Sequence, residues 1–175
     1  MTTAPSARAP RPSRSPVPAL PEFESLEQAH RDALQMLQAF EELLAHLDDS
    51  GPDETARASA QRIMAFFAGP GRTHHAEEER HVFPALLNST DIELVQHVRR
   101  LQQDHGWIEE DWRELAPQIE AIANGYNWYD LAMLRLALPV FTALHHEHIA
   151  LEEALVYPEA RRRRLAELQG RDAKP

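Results

Sequence analysis

Two segments of the chain carry the same side chains 74 residues apart: His74-His-Ala-Glu-Glu78-Glu-Arg-His-Val-Phe83-Pro84 and His148-Ile-Ala-Leu-Glu152-Glu-Ala-Leu-Val-Tyr157-Pro158. In each, a His is followed four residues later by a Glu, and ten residues later by a Pro preceded by an aromatic. On a helix, positions i and i+4 share a face, so each segment presents an imidazole beside a carboxylate. Supplied twice, that donor set suits a pair of transition-metal ions inside a helical protein. Further upstream, Gln28-Ala-His30 precedes His74 by 44 residues and Gln103-Asp-His105 precedes His148 by 43. The chain therefore reads as two copies of one unit, a helix bearing one His followed by a helix bearing His-x-x-x-Glu. Folded antiparallel about a rough two-fold axis, the copies bring four His and two Glu together.

The elements that must position these side chains are legible from periodicity. A first helix is expected from about Glu24 to Leu47, with Leu26, Ala33, Leu37, Phe40 and Leu44 on one face. Asp48-Asp-Ser-Gly-Pro52 ends it, and a second helix runs from near Asp53 to about Leu87, interrupted at Gly69-Pro-Gly71. Asn88-Ser-Thr-Asp91 supplies a turn and an N-cap for a third helix, which reaches about Ala123 with a bend at Pro117. A fourth is expected from about Trp128 to Leu155, bent at Pro139 and closed by Pro158, with a short polar C-terminal helix beyond. The fold class is all-α, an up-down-up-down antiparallel four-helix bundle. Helix breaks upstream of both motifs are expected to widen the bundle around the site. Residues 1–22 read as a disordered Pro-rich tail, 23–160 as the bundle and 161–175 as a basic tail.

Composition narrows the function. The 175 residues include no Cys, so any metal is held by nitrogen and oxygen. The net charge of −10 divides into basic termini and a central body near −17, which argues against nucleic acid as a partner. The Arg161–Arg164 run reads as a solvated helix end. No apolar run approaches the roughly 20 residues of a membrane span, and the expected setting is cytoplasmic.

Within the motifs, His75 and Glu79 also form an i, i+4 pair. Counting back from Pro84 and Pro158 aligns His74 with His148 and Glu78 with Glu152, and leaves His75 opposite Ile149. Glu79 and Glu153 are expected on the flank, making salt links. Glu109, one turn after His105, is a candidate for an additional ligand or an outer hydrogen-bonding partner, with a surface pair to Arg113 as the alternative. His81 and His145 are further candidates for outer partners. Phe66, Phe67, Phe83, Trp112, Phe141, Leu144 and Tyr157 are expected to cover the site.

These motifs, with their Glu-Glu-x-x-x-(Phe/Tyr)-Pro tails, resemble the hemerythrin-like (HHE cation-binding) domain across about residues 24–158. The intervals 30, 74, 105 and 148 are similar to those of the di-iron domain of the iron–sulfur cluster repair (RIC) proteins. The resemblance implies His30, His74, His105 and His148 as terminal ligands, Glu78 and Glu152 as carboxylates bridging two irons, and an oxo or hydroxo group completing the bridge. Manganese or zinc suits the same donors. Oxygen-carrying hemerythrins have a fifth His on the third helix, where this chain has Leu101 and Glu109 either side of His105. The repair proteins carry a Cys-bearing N-terminal domain that this sequence lacks. The implied function is a non-haem di-iron protein that binds or senses dioxygen, nitric oxide or iron. A peroxide-consuming or oxygen-activating oxidoreductase and an iron storage or delivery protein are the alternatives. The expected partner is a gaseous ligand or peroxide.

Overall fold

In the computed structural model, which describes residues 20–172, seven α-helices and two π turns follow one another: α1 (Pro21–Asp49), α2 (Glu54–Ala68), α3 (Pro70–Glu77), a first π turn (Glu78–Val82), α4 (Phe83–Leu87), α5 (Ile92–Ala123), α6 (Leu131–Leu151), a second π turn (Glu152–Val156) and α7 (Tyr157–Asp172). The expected tail at 1–22 lies outside the described residues up to position 19, as do residues 173–175 at the other end. α1 packs against α2 and α6, and α5 packs against the same two, giving a four-cornered bundle in which sequential long helices are neighbours.

Local chemistry accounts for the helix ends. Asp53 and Asp91 cap α2 and α5 by accepting from the amides of Ala56 at 2.9 Å and Leu94 at 3.1 Å. α6 starts three residues later than its periodicity indicates, because Asp130 accepts from Met133 N at 3.0 Å and fixes the boundary. Gly125, at φ +74°, lets Tyr126 N donate back to the Ala121 carbonyl and stop α5. The second helix of the bundle breaks at Gly69, as its Gly-Pro-Gly run indicates.

Pro117 and Pro139 lie inside α5 and α6, which continue through both positions. The first motif helix is broken upstream of His74, at Gly69, as expected, but α6 runs unbroken up to His148, and both motif helices are distorted again at the π turns. Pro158 does not close the fourth helix; the chain passes through the second π turn into α7, which is 16 residues long. Proline lacks an N–H and its ring collides with the carbonyl four residues back. A π turn just before Pro84 and Pro158 absorbs one extra residue, with Phe83 N bonding to Glu78 O and Tyr157 N to Glu152 O, and the helix continues. The arginine run is likewise not a free helix end. Arg161 bonds to Glu27 and Arg163 to the Ala85 carbonyl and Ser89, tying α7 to α1 and to the segment around α4.

Buried apolar side chains form two clusters. One holds Leu37, Phe40, Leu43, Ile63, Phe67, Trp112, Leu115, Ile119, Leu138 and Phe141. The other holds Phe23, Val82, Phe83, Leu86, Val98, Leu101, Val156 and Tyr157. Along α5 the order is Leu101, then Asp104 and His105, then Ile108; along α1 it is Phe23, then His30, then Leu37. The polar residues thus form a layer between two apolar cores. Burial of each large apolar side chain, worth about 1.5–3 kcal/mol, offsets the cost of burying that layer. Among the described residues, no helix is long and apolar enough to cross a membrane.

Candidate metal centre

Among the described residues, eight polar or charged ones are buried: His30, His74, Glu78, Asp104, His105, His145, His148 and Glu152, none more than 8% exposed. Six of them face one another. His74 Nε2 and His105 Nε2 approach Glu78 Oε2 at 3.6 and 3.4 Å. His30 Nε2 and His148 Nε2 approach Glu152 Oε2 at 3.0 and 3.3 Å. Their donor atoms form two overlapping groups, His30–His74–Glu78–Glu152 and Glu78–His105–His148–Glu152, each within 4.8 Å. Both carboxylates belong to both groups.

The flanking glutamates cross between the units. Glu79 Oε1 accepts from His105 Nδ1 at 3.1 Å, and Glu153 Oε1 accepts from His30 Nδ1 at 3.0 Å. Each His-x-x-x-Glu-Glu motif therefore sends its first Glu into the centre and its second to orient the single His of the other unit. The aromatic before each proline repeats the pattern: Phe83 stacks on His105 at 5.5 Å and Tyr157 on His30 at 5.2 Å. Tyr157 adds a hydroxyl that donates to Glu78 Oε1 and lies 3.2 Å from His30 Nε2.

Electrostatics separate the two acids. Burial alone would raise the Glu78 carboxyl, but the His105 and His74 imidazoles and the Tyr157 hydroxyl outweigh it and hold it at about 2. Glu152 is pushed well above the usual carboxylate range, first by burial and then by Glu78 beside it. Burial, opposed by Glu78, lowers His74 to about 4. It also lowers His148, with Asp104 acting the other way. The Nε2 atoms of His74, His105 and His148, Glu78 Oε2 and both Glu152 oxygens are buried without a well-aligned hydrogen bond. Unsatisfied buried donors and acceptors are costly, and these are all lone-pair atoms converging on shared points. Two cations there would satisfy them together; the donor set fits.

The remaining sequence candidates lie outside both groups. Glu109 turns to the edge of the layer, pairing with Arg72 at 3.0 Å and more loosely with Arg113 at 3.8 Å. His81 is 62% exposed and pairs with Glu77, contrary to its expected place against the site. The π turn is the reason: its wider winding makes residues lag behind their α-helical positions, so His81 rotates off the face of Glu78. His145 is buried, donates from Nδ1 to the Phe141 carbonyl at 2.9 Å, and is held at about 4, chiefly by burial. It borders a cavity of about 30 Å³, also lined by His30, His74, Phe67, Trp112 and the Arg72–Glu109 pair.

Two further residues lie near the centre: His75, which register set aside, and Asp104, which the sequence reading missed. His75 is stacked on His105 at 4.2 Å, with the rings 16° from parallel. Its donor atom also lies within 4.8 Å of those of His105 and His148, a third group of possible metal-holding side chains. Asp104 is 1% exposed and points Oδ2 at His148 Nδ1. Its signal was its place beside His105, where the other unit has Ala29.

The family model of the hemerythrin HHE cation binding domain matches residues 22–160. The chain belongs to that family. The match spans α1 through the second π turn and therefore contains all six converging side chains. Neither the curated proteins nor the solved structures yield a match to this hemerythrin-family chain. Membership carries cation binding, and the His/Glu groups are its structural counterpart.

Proposed function

We propose that this hemerythrin-family protein holds two iron ions and uses them to bind or sense a small molecule such as dioxygen or nitric oxide. The observation that carries the reading is the pair of overlapping four-residue groups sharing both carboxylates. In it, His30 and His74 are terminal ligands of one ion, His105 and His148 of the other. Glu78 and Glu152, which belong to both groups, would be shared between the two ions. Iron held by imidazole and carboxylate supplies reversible one-electron redox chemistry and open positions for a small ligand.

The rest of the chain performs supporting tasks. Glu79 and Glu153 fix the ring orientation of His105 and His30 and make them stronger donors. Tyr157 holds one oxygen of Glu78, leaving the other for the ions. Phe67 and Trp112 line the cavity with apolar surface, and its size admits a water-sized or diatomic molecule. The test is anaerobic loading of apo-protein with Fe2+, followed by an absorption spectrum before and after air. A visible spectrum that appears with air and bleaches on deoxygenation supports reversible oxygen binding. Irreversible oxidation refutes the carrier role, and failure to take up iron refutes the whole reading.

One observation favours a second reading, a peroxide-consuming oxidoreductase. His145 is neutral at pH 7 and its Nδ1 is committed to Phe141, so Nε2 is the proton-accepting atom beside the cavity. Sustained peroxide turnover by the iron-loaded protein, abolished in His74→Ala and Glu152→Ala, supports that reading. Absence of turnover sinks it.

A further inference from the structure

The two units match closely around the centre, and one of their differences, an acid beside the single His of one unit only, falls on one metal position. Three of the four histidines have a carboxylate behind the ring. Glu79 serves His105 and Glu153 serves His30. Asp104 Oδ2 stands 3.8 Å from His148 Nδ1, both residues 1% exposed. Neither Asp104 oxygen nor His148 Nδ1 makes a hydrogen bond; Arg100, 3.7 Å from Oδ2, is the other charged group near that carboxylate. The fourth histidine, His74, also has its Nδ1 buried without a hydrogen bond, and among the described residues no carboxylate stands behind it. Asp104 stands one residue before His105, and the residue one before His30 is Ala29. The unit that lacks the acid leaves its partner imidazole unsupported.

A carboxylate behind a ligating imidazole fixes its tautomer and orientation and raises its basicity, and losing one costs about 10–100-fold in metal affinity. The asymmetry also coincides with access. Ala29, His30 and His74 line the cavity, whereas His105 and His148 do not.

Resting on the two-ion reading above, we propose that the centre binds its ions unequally: the His105–His148 position is tight and retained, and the His30–His74 position is weaker and exchangeable through the cavity. Asp104 acts as a positioning residue for His148 and sets the difference. Occupancy of the second position then follows the supply of free divalent metal, which gives the protein a metal-responsive state within a centre that never empties completely.

The test is anaerobic calorimetric titration of chelator-stripped full-length protein with Fe2+, repeated with Co2+ as a spectroscopic probe. The wild type is expected to take up two ions in steps separated by about 10–100-fold. Repulsion between neighbouring cations also separates steps, so reciprocal substitutions decide. Asp104→Ala is expected to weaken the first step and draw the two together. Ala29→Asp, by supplying the missing acid to His74, is expected to tighten the second. Asp104→Asn, which keeps the shape, is expected to fall between and serves where the alanine variant fails to fold by circular dichroism. Equal steps in the wild type, or a gap unchanged by Asp104→Ala or Asp104→Asn, overturns the proposal. A wild type that binds no stoichiometric metal is a different result, and it overturns the metal-centre reading itself.

Discussion

Replacing Tyr157 by Phe removes one oxygen atom from the middle of the centre and leaves nearly everything else in place. The ring is 1% exposed, stacks on His30 and meets Phe23 edge-on at 5.9 Å. Phe83 occupies the matching position of the other unit and stacks on His105 in the same way, so a phenyl ring suits this environment. What disappears is the hydrogen bond to Glu78, a buried carboxylate held at about 2 partly by that hydroxyl. A hydrogen bond to a charged group is worth about 1.5–3 kcal/mol. The apo-protein should lose about that much, lowering its melting temperature by about 3–12 °C. Denaturant unfolding of apo wild type and variant at pH 7 measures the loss directly. In the metal-loaded protein the cations share the charge of Glu78, so the difference should shrink. An apo-variant within 0.5 kcal/mol of wild type (about the scatter of neutral surface substitutions) would refute the assignment of that hydroxyl to Glu78.

Acid should destabilise the apo-protein. His74 and His145 are held at about 4 against an ordinary 6.5, chiefly by burial, so the unfolded chain binds the proton more readily. Stability is then complete above about 6.5 and falls toward pH 4, by about 3 kcal/mol per histidine. Glu152, raised by burial and by Glu78, works in the opposite sense. A denaturation midpoint flat across that range contradicts the burial of these imidazoles. Metal uptake should release protons in weakly buffered solution, more so as the pH is lowered, because burial and Glu78 favour the protonated form of Glu152 and the cations displace that proton; uptake without release across the acidic range argues against Glu152 as a ligand. Glu153→Gln and Glu79→Gln should each weaken metal binding about 10–100-fold with little change in apo stability, read by competition with a chelator; unchanged affinity refutes their orienting role. Phe141→Ala, emptying a fully buried site between Phe67 and His145, should cost about 3–5 kcal/mol in denaturant unfolding; a loss under 1 kcal/mol contradicts the packing.

Much of the bundle was legible because amphipathic helices and their stops are written locally. Leu37, Phe40 and Leu44 mark the buried face of α1, and Asp53, Asp91 and Gly69 mark the boundaries. The convergence of His30, His74, Glu78, His105, His148 and Glu152 was legible because the sequence states it twice in one register. The π turns were not: a 3.6-residue period contains no sign that Pro84 and Pro158 will be accommodated by widening the preceding turn. His81 was misplaced for that reason. Asp104 was overlooked because an acid on a long helix is ordinarily exposed, and only the packing of α5 against α6 buries it. The Arg161–Arg164 run looked like solvated charge because its partners, Glu27, the Ala85 carbonyl and Ser89, lie far away in sequence.

The central claim is that two cations sit between Glu78 and Glu152, each with its own pair of histidines. Anomalous diffraction at the iron edge, from crystals of protein loaded anaerobically with Fe2+, tests it directly. Two peaks are predicted, one beside His30 and His74 and one beside His105 and His148, both within coordination distance of both carboxylates. A single peak, or iron elsewhere with these six side chains left free of it, would contradict the account.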